Sequence, residues 1–231
     1  MNIKIYNPDD DASKISGFTI VVDVFRAFSV AYYIDNNNPI KYIISESITH
    51  SMTLKRELPS SILIGERNGI KIDGFKYGNS PTEIQNEDFS DNIIIHTTTA
   101  GTRGLLIQPI ENEVVVGSFV NSNALLKYIE YKNIHEVNIY CTARKKEIFG
   151  EEDYLFAEYL KQRLLGERTE FDSIVLRLRE GSGKGFSATG FAPYSDFLYC
   201  LDISRFNSIL KRKIVMGESH SIELERIFTT K

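Results

Sequence analysis

Tryptophan is missing from this 231-residue chain, cysteine occurs only twice and histidine four times. So few Cys and His, scattered along the chain, leave no Cys/His metal-binding cluster. Cys141 and Cys200 each sit among apolar neighbours, which predicts buried thiols rather than a disulfide and fits a reducing cytoplasm. No apolar stretch approaches membrane-spanning length. The amino-terminal MNIKIYNPDDD has neither the basic region nor the apolar core of a secretory leader. A cytoplasmic protein with no membrane partner is expected. No basic run is interleaved with aromatics, and the net charge of -4 gives no footing for nucleic acid. The short Ala143-Arg144-Lys145-Lys146 segment, followed by Glu147, reads as a solvated face.

What is present is ordinary globular composition, 42% hydrophobic and 25% charged. The length suits a single domain over 1–231, or two intertwined lobes, 1–108 and 109–231, meeting near Gln108-Pro109. Proteins of this size and class are often dimers, which makes a homodimer a candidate state. The 12 Tyr and 14 Phe can furnish core or interface.

Runs rich in β-branched residues predict buried strands at Phe18–Val24, Lys41–Ser45, Ile62–Glu66, Asn92–Thr97, Glu113–Gly117 and Val137–Thr142. Helices are expected over Arg26–Ile34, Glu46–Glu57, a short piece to Ile107, a 3.6-residue face through Ala124, Leu125, Tyr128 and Ile129, and Glu151–Leu165. This alternation predicts an α/β fold: a largely parallel or mixed sheet flanked by helices in three layers. The tail is less regular: Ser173–Leu178, a Gly/Ser-rich loop from Gly181 to Gly190, then Asp196–Leu201.

One segment concentrates chemistry. Leu63 to Pro81, LIGERNGIKIDGFKYGNSP, places Glu66, Arg67, Asn68, Asn79 and Ser80 among glycines directly after an apolar run. Polar groups at the end of a buried strand need partners, either from their own loop or from a ligand. In a parallel sheet the strand ends share one edge where ligands bind. The residues expected there are Asp23, Glu66, the Thr97–Thr102 loop, Ser118 and Thr142. Carboxylates, hydroxyls and backbone amides suit a hard cation such as Mg²⁺ together with an oxyanion. Arg26, Arg67 and Arg103 add forked donors for phosphate or sulfonate. The structural alternatives are that Asp23 caps the following helix and that Glu66 pairs with a neighbouring arginine. Gly181-Ser-Gly-Lys lacks the Ser/Thr of a phosphate loop and reads as a flexible connection. His96 reads as a satisfied core residue.

Glu66-Arg67-Asn68-Gly69, Gly74-Phe75 and Gly78-Asn79-Ser80-Pro81 resemble the 2-phosphosulfolactate phosphatase family. The resemblance extends to Val22–Ala27, Thr98–Arg103, Gly117–Asn121 and Phe149-Gly150-Glu151-Glu152-Asp153, in consistent order over about residues 18–165. It implies an Mg²⁺-dependent phosphoric monoester hydrolase that converts a small phosphorylated, sulfonated acid to sulfolactate and phosphate, on routes toward coenzyme M. On that reading Asp23, Glu66 and Arg67 are catalytic, and Asp23, Glu66, Glu152 and Asp153 are candidates to hold Mg²⁺. Arg26, Asn68, Asn79, Ser80, Thr98, Thr99, Gly101, Thr102, Arg103 and Asn121 would bind substrate. Asp23 as a covalent nucleophile is the alternative role. The chain departs from the family pattern at Phe28, at Ala100 (an Asn in the family), at Thr142–Lys146 and in the tail. A non-catalytic relative that keeps the anion pocket as a binding module is the second reading.

Overall fold

A computed structural model describes residues 1–143, 150–214 and 221–229. The fold is α/β. The strands are β1 (Asn2–Tyr6), β2 (Thr19–Val22), β3 (Lys41–Ser45), β4 (Ile62–Arg67), β5 (Ile70–Lys71), β6 (Ile93–Thr97), β7 (Val114–Gly117), β8 (Glu136–Cys141), β9 (Ser208–Lys213) and β10 (Ser221–Thr229). They form one mixed sheet in the order β1-β8-β2-β7-β9-β10-β3-β6-β4-β5. The helices are α1 (Ala27–Asn36), α2 (Ile48–Glu57), α3 (Pro81–Ile84), α4 (Gly101–Leu106), α5 (Ser122–Tyr131), α6 (Glu151–Leu164), α7 (Phe171–Glu180) and α8 (Tyr194–Cys200).

The apolar runs explain the sheet. Every residue of β2 and β7 is buried, as expected for strands covered on both faces. Side chains alternate across the sheet: Val21 joins the core on one face, whereas Ile20 and Val22 join the core on the other. The first core gathers α1 with residues from β3, β4, β6, β7, β9 and β10. Because Ala27 to Asp35 of α1 are all buried, this helix is covered on every side. A second core gathers α5, α6 and α7 with β2, β7 and β8, and α2 packs against β3, β4 and β6.

Besides β1, β5 and α3, which were not expected, two larger features differ from the sequence-based expectation. The strands do not share one C-terminal edge. β1, β8, β2 and β7 are mutually parallel, as are β3, β6 and β4. Between these groups lie β9 and β10, joined by antiparallel pairings. Three antiparallel steps reverse the sense, so the two parallel groups run oppositely; residues that follow β2, β8, β4 and β6 nonetheless line one cavity.

The second difference is the tail, which contributes α7, α8 and this central ribbon. β9 and β10 were hidden by their charge: SILKRK and SIELERIFT lack an apolar run. They are held by backbone pairing and by cross-strand contacts such as Lys213 to Glu223 at 3.5 Å. The segment read as flexible, Ser182–Gly185, is a 3₁₀ turn in which Ser182 and Gly183 are buried. A Cβ at Gly183 would lie 2.6 Å from both the Leu178 carbonyl oxygen and the Phe197 ring, so only glycine fits.

Candidate active site

A cavity of about 640 Å³ opens where the strand ends meet, lined by Asp23, Phe25, Arg26, Glu66, Asn68, Gly69, Asn79, Thr99, Ala100, Thr142, Ala143 and Phe191. A smaller recess of about 400 Å³ adjoins it and shares Arg26, Asn68, Gly69, Asn79 and Phe191.

Asp23 follows β2 and is 6% exposed. Its Oδ1 accepts the Ala27 N–H at 2.9 Å, so the helix-capping role is real. Its Oδ2 lies toward Gly101, where a Cβ would stand 2.9 Å away. Burial, with the Glu66 carboxylate adding to it, pushes the Asp23 carboxyl up to about 6. Glu66 is the next-to-last residue of β4. Its Oε1 accepts the Thr99 N–H at 2.7 Å, while Oε2 accepts the Gly69 N–H at 2.7 Å and the Thr99 hydroxyl at 3.3 Å. Glu66 thus ties the glycine-rich loop to the threonine loop.

Arg26 is buried and gripped from several sides. Nη1 donates to Asp196 Oδ2 at 2.7 Å, Nη2 donates to the Gly69 carbonyl at 3.0 Å, and the guanidinium carbon lies 5.3 Å from the Phe191 ring centre. Asp196 is fully buried. Its Oδ1 accepts the Ser80 hydroxyl at 2.8 Å, the Thr82 N–H at 3.0 Å and the Thr82 hydroxyl at 2.6 Å.

Among the residues expected to act here, several have other partners. Arg67 follows Glu66 along β4 and so faces the opposite way. It donates to the Glu66 carbonyl at 2.7 Å and to Thr97 Oγ1 at 2.9 Å, and does not line the cavity. Arg103 is exposed on α4, also away from the lining. Asn121 is fully buried, accepting the Ser118 N–H at 3.0 Å and donating to the Tyr32 hydroxyl at 2.6 Å. Thr98 and Thr102 satisfy each other: each backbone N–H reaches the other's hydroxyl, at 2.9 and 3.1 Å. Ser80 spends its hydroxyl on Asp196. Gly101 is required by close packing, since a Cβ there would lie 2.7 Å from the Ala27 Cβ. Asn79 lines the cavity, and its Oδ1 meets His96 Nε2 at 3.2 Å. His96 is a core residue: Nδ1 meets the Tyr42 hydroxyl at 2.7 Å, and burial and the nearby Arg67 charge push it down to about 3.

The two acids of α6 differ sharply. Asp153 accepts Val24 N–H at 2.8 Å on Oδ1 and, on Oδ2, the Thr142 N–H and hydroxyl at 3.1 Å and the Ala143 N–H at 3.2 Å. It clamps the ends of β2 and β8 together, and both oxygens are occupied. Burial, with the charges of Asp23 and Glu152, raises its proton affinity well above the ordinary carboxylate range. Glu152 is 2% exposed with Oε2 lacking a hydrogen-bond partner. Burial pushes it up to about 7. Phe149 and Arg144–Lys146 lie outside the described residues.

Sequence reasoning missed Phe25, Phe191 and Asp196 as parts of this region. Asp196 had one detectable signal. It stands four residues before Cys200 on a short helix whose buried positions are Asp196, Phe197 and Cys200, an acid on an apolar face, which demands a buried partner.

Both cysteines are buried free thiols, and burial pushes the Cys141 thiol well up. Among the described residues no group of three or more His, Cys, Asp or Glu is arranged to hold a metal. No helix among them is long and apolar enough to cross a membrane.

The family model described as 2-phosphosulpholactate phosphatase matches residues 5–179. A protein of Caldicellulosiruptor saccharolyticus named probable 2-phosphosulfolactate phosphatase is 35% identical over 154 residues, covering 65% of this chain and 63% of that protein. The chain therefore spans less than two thirds of that relative's length. A Thermoplasma volcanium protein with the same name is 31% identical over 166 residues, 71% of this chain and 76% of that one. A third, from Caldanaerobacter subterraneus, is 30% identical over 220 residues, 94% of this chain and 86% of that one. The chain belongs to the 2-phosphosulpholactate phosphatase family.

Proposed function

We propose that the protein hydrolyses the phosphate monoester of 2-phosphosulfolactate, or of a closely similar small phosphorylated acid, with Mg²⁺ held at Asp23 and Glu66. The reading rests on family membership and on one observation: both carboxylates and the Arg26 guanidinium line a single cavity. The charge balance of that cavity supports a cation. Arg26 is the sole cationic residue in the described lining, and it is paired with Asp196. Two carboxylates facing a phosphorylated, sulfonated acid would repel it.

Mg²⁺ needs only one or two carboxylates, completing its shell with waters and substrate oxygens, so the lack of a larger acidic cluster is compatible with it. Asp23 and Glu66 fit as its holders because both reach the cavity. Asp153 does not line the cavity, and four donors tie its oxygens to the ends of the two strands. When bound, the ion would supply neutralisation of the phosphoryl oxygens.

The chain's own residues would do the rest. Arg26 presents its remaining donors to an oxyanion. The Glu66 bonds to the Thr99 and Gly69 amides hold the loops that border the reacting group. Phe25 and Phe191 provide apolar wall that limits water. A proton and a cation compete for Asp23, so cation binding should weaken below about pH 6.

The test is phosphate release from racemic 2-phosphosulfolactate with Mg²⁺ and then with EDTA. Turnover that stops with EDTA is expected. A folded protein that releases no phosphate from this substrate or from a panel of small phosphate esters would overturn the reading and leave the anion-binding module.

A further inference from the structure

The family model stops at residue 179, yet the guanidinium in the cavity is held by residues beyond it. We infer that Asp196 is a positioning residue: through Arg26 it fixes the donors that receive the substrate's oxyanion. This rests on the hydrolase reading for its substrate, but not for its anion.

The geometry separates this role from simple charge balance. Asp196 Oδ1 is filled by three neutral donors from Ser80 and Thr82, which fix the carboxylate in the fold. Oδ2 takes Arg26 Nη1 at 2.7 Å. The Gly69 carbonyl takes Nη2, and Phe191 covers one guanidinium face. A long, rotamer-rich side chain is thereby reduced to one orientation, before any ligand arrives. Asp196 has no exposed surface, and it is absent from the lining of either cavity compartment, so it acts through Arg26 and not on substrate. Three chain regions meet at this one cation: the turn after β2, the Gly78–Pro81 motif through Ser80, and the tail. Ser80 thus serves the site by holding Asp196.

Neutralisation and positioning predict opposite signs. If Asp196 merely cancels charge, Asp196→Asn makes the site more positive and strengthens anion binding. If it positions Arg26, the variant weakens binding although the site gains positive charge. The asparagine can keep one oxygen for Ser80 and Thr82 while its amide nitrogen opposes the guanidinium, a donor against a donor.

The experiment is a double-mutant cycle of Asp196→Asn and Arg26→Gln, each variant checked for a cooperative thermal transition. The readouts are inorganic phosphate affinity by calorimetry with Mg²⁺ present, and KM and kcat for the ester. Asp196→Asn is expected to weaken phosphate binding and lower kcat/KM by roughly tenfold to a hundredfold. In the Arg26→Gln background its further effect should be below about twofold. Asp196→Glu keeps the charge but displaces the carboxylate, and serves where the asparagine variant does not fold; it too should weaken binding. Phosphate affinity unchanged or higher in the folded Asp196 variants would overturn the inference. So would an Asp196 effect that persists undiminished in Arg26→Gln, or a wild-type protein that binds no phosphate. A wild type that binds phosphate but hydrolyses nothing would refute only the hydrolase reading, and the binding cycle would still decide the role of Asp196.

Discussion

Asp23 and Asp196 are both buried aspartates beside one cavity, and they carry their charge in opposite ways. Asp196 has the Arg26 guanidinium on one oxygen and three neutral donors on the other. Asp23 has a backbone amide from Ala27 and, as an electrostatic neighbour, another carboxylate, Glu66. The first is compensated inside the protein. The second has no ion pair among the described residues, and burial, with the Glu66 charge, raises its proton affinity. Burial alone does not distinguish the two acids; the directly paired guanidinium does.

The largest effect should come from removing the under-compensated acids. Asp23→Asn and Glu66→Gln are each expected to lower phosphate release on the order of 10³-fold, measured against the wild type with saturating Mg²⁺. Their stabilities should part company. Folding raises the Asp23 pKa from 3.8 to about 6, so the folded state binds its proton more tightly. The benefit is full below pH 3.8 and is lost as pH rises through 6. At pH 8 in EDTA the ionised group therefore costs up to about 3 kcal/mol, which Asp23→Asn should recover as a higher thermal midpoint. Glu66→Gln should lose about 1–3 kcal/mol instead, because a glutamine oxygen cannot accept from both the Thr99 and the Gly69 amides. Equal shifts of the two midpoints would erase the distinction.

How much of this was legible in sequence follows from which physics is local. The β-branched runs gave β2, β3, β4, β6, β7 and β8 because strands buried on both faces need no partner to be recognised. Asp23, Glu66, Asn79 and Thr99 follow such runs and do line the cavity. Arg67 lies outside the lining by a local rule: consecutive strand residues point to opposite faces, so a cavity-facing Glu66 sends Arg67 away. Arg103, Asn121 and Asp153 depended on rotation about helices and on partners distant in sequence, which spacing does not encode. The bond from Asp153 to Val24 spans 129 residues and that from Asp196 to Arg26 spans 170. The ribbon of β9 and β10 was invisible for a third reason, since its charged side chains obey cross-strand pairing and not hydrophobic period.

A milder way to disturb the Asp23 side is steric. A Cβ at Gly101 would lie 2.7 Å from the Ala27 Cβ and 2.9 Å from Asp23 Oδ2. Both neighbours belong to the turn that opens α1, whose packing on every side leaves little room to shift. Gly101→Ala should therefore cost about 1–3 kcal/mol in denaturant unfolding and lower turnover by roughly tenfold by displacing the carboxylate. Gly17→Ala is the matched control for backbone effects. Its Cβ would meet nothing within 4 Å, but its φ of +90° carries the strain of a side chain in left-handed backbone. It should destabilise without touching kcat. Loss of kcat in both would mean that stability, not Asp23 placement, governs the Gly101 result.

The smallest effect on turnover is expected at Glu152, which tests whether a third acid shares the cation. It is buried, its Oε2 has no hydrogen-bond partner, and burial is the main reason its pKa stands at about 7 instead of 4.5. It does not line the cavity. Its raised value means that the folded state gains stability as pH falls from above 7 toward 4.5, and that ionisation above 7 works against folding. Glu152→Gln should flatten the thermal midpoint across that window and raise it at pH 8, by several degrees for a chain of this size. Phosphate release at saturating Mg²⁺ should fall by less than about tenfold, with little change in the Mg²⁺ concentration giving half-maximal rate. A large rise in that concentration would instead make Glu152 a holder of the ion beside Asp23 and Glu66. The contrast between charge compensated inside the fold and charge reserved for a ligand would then extend from the cavity lining into the first turn of α6.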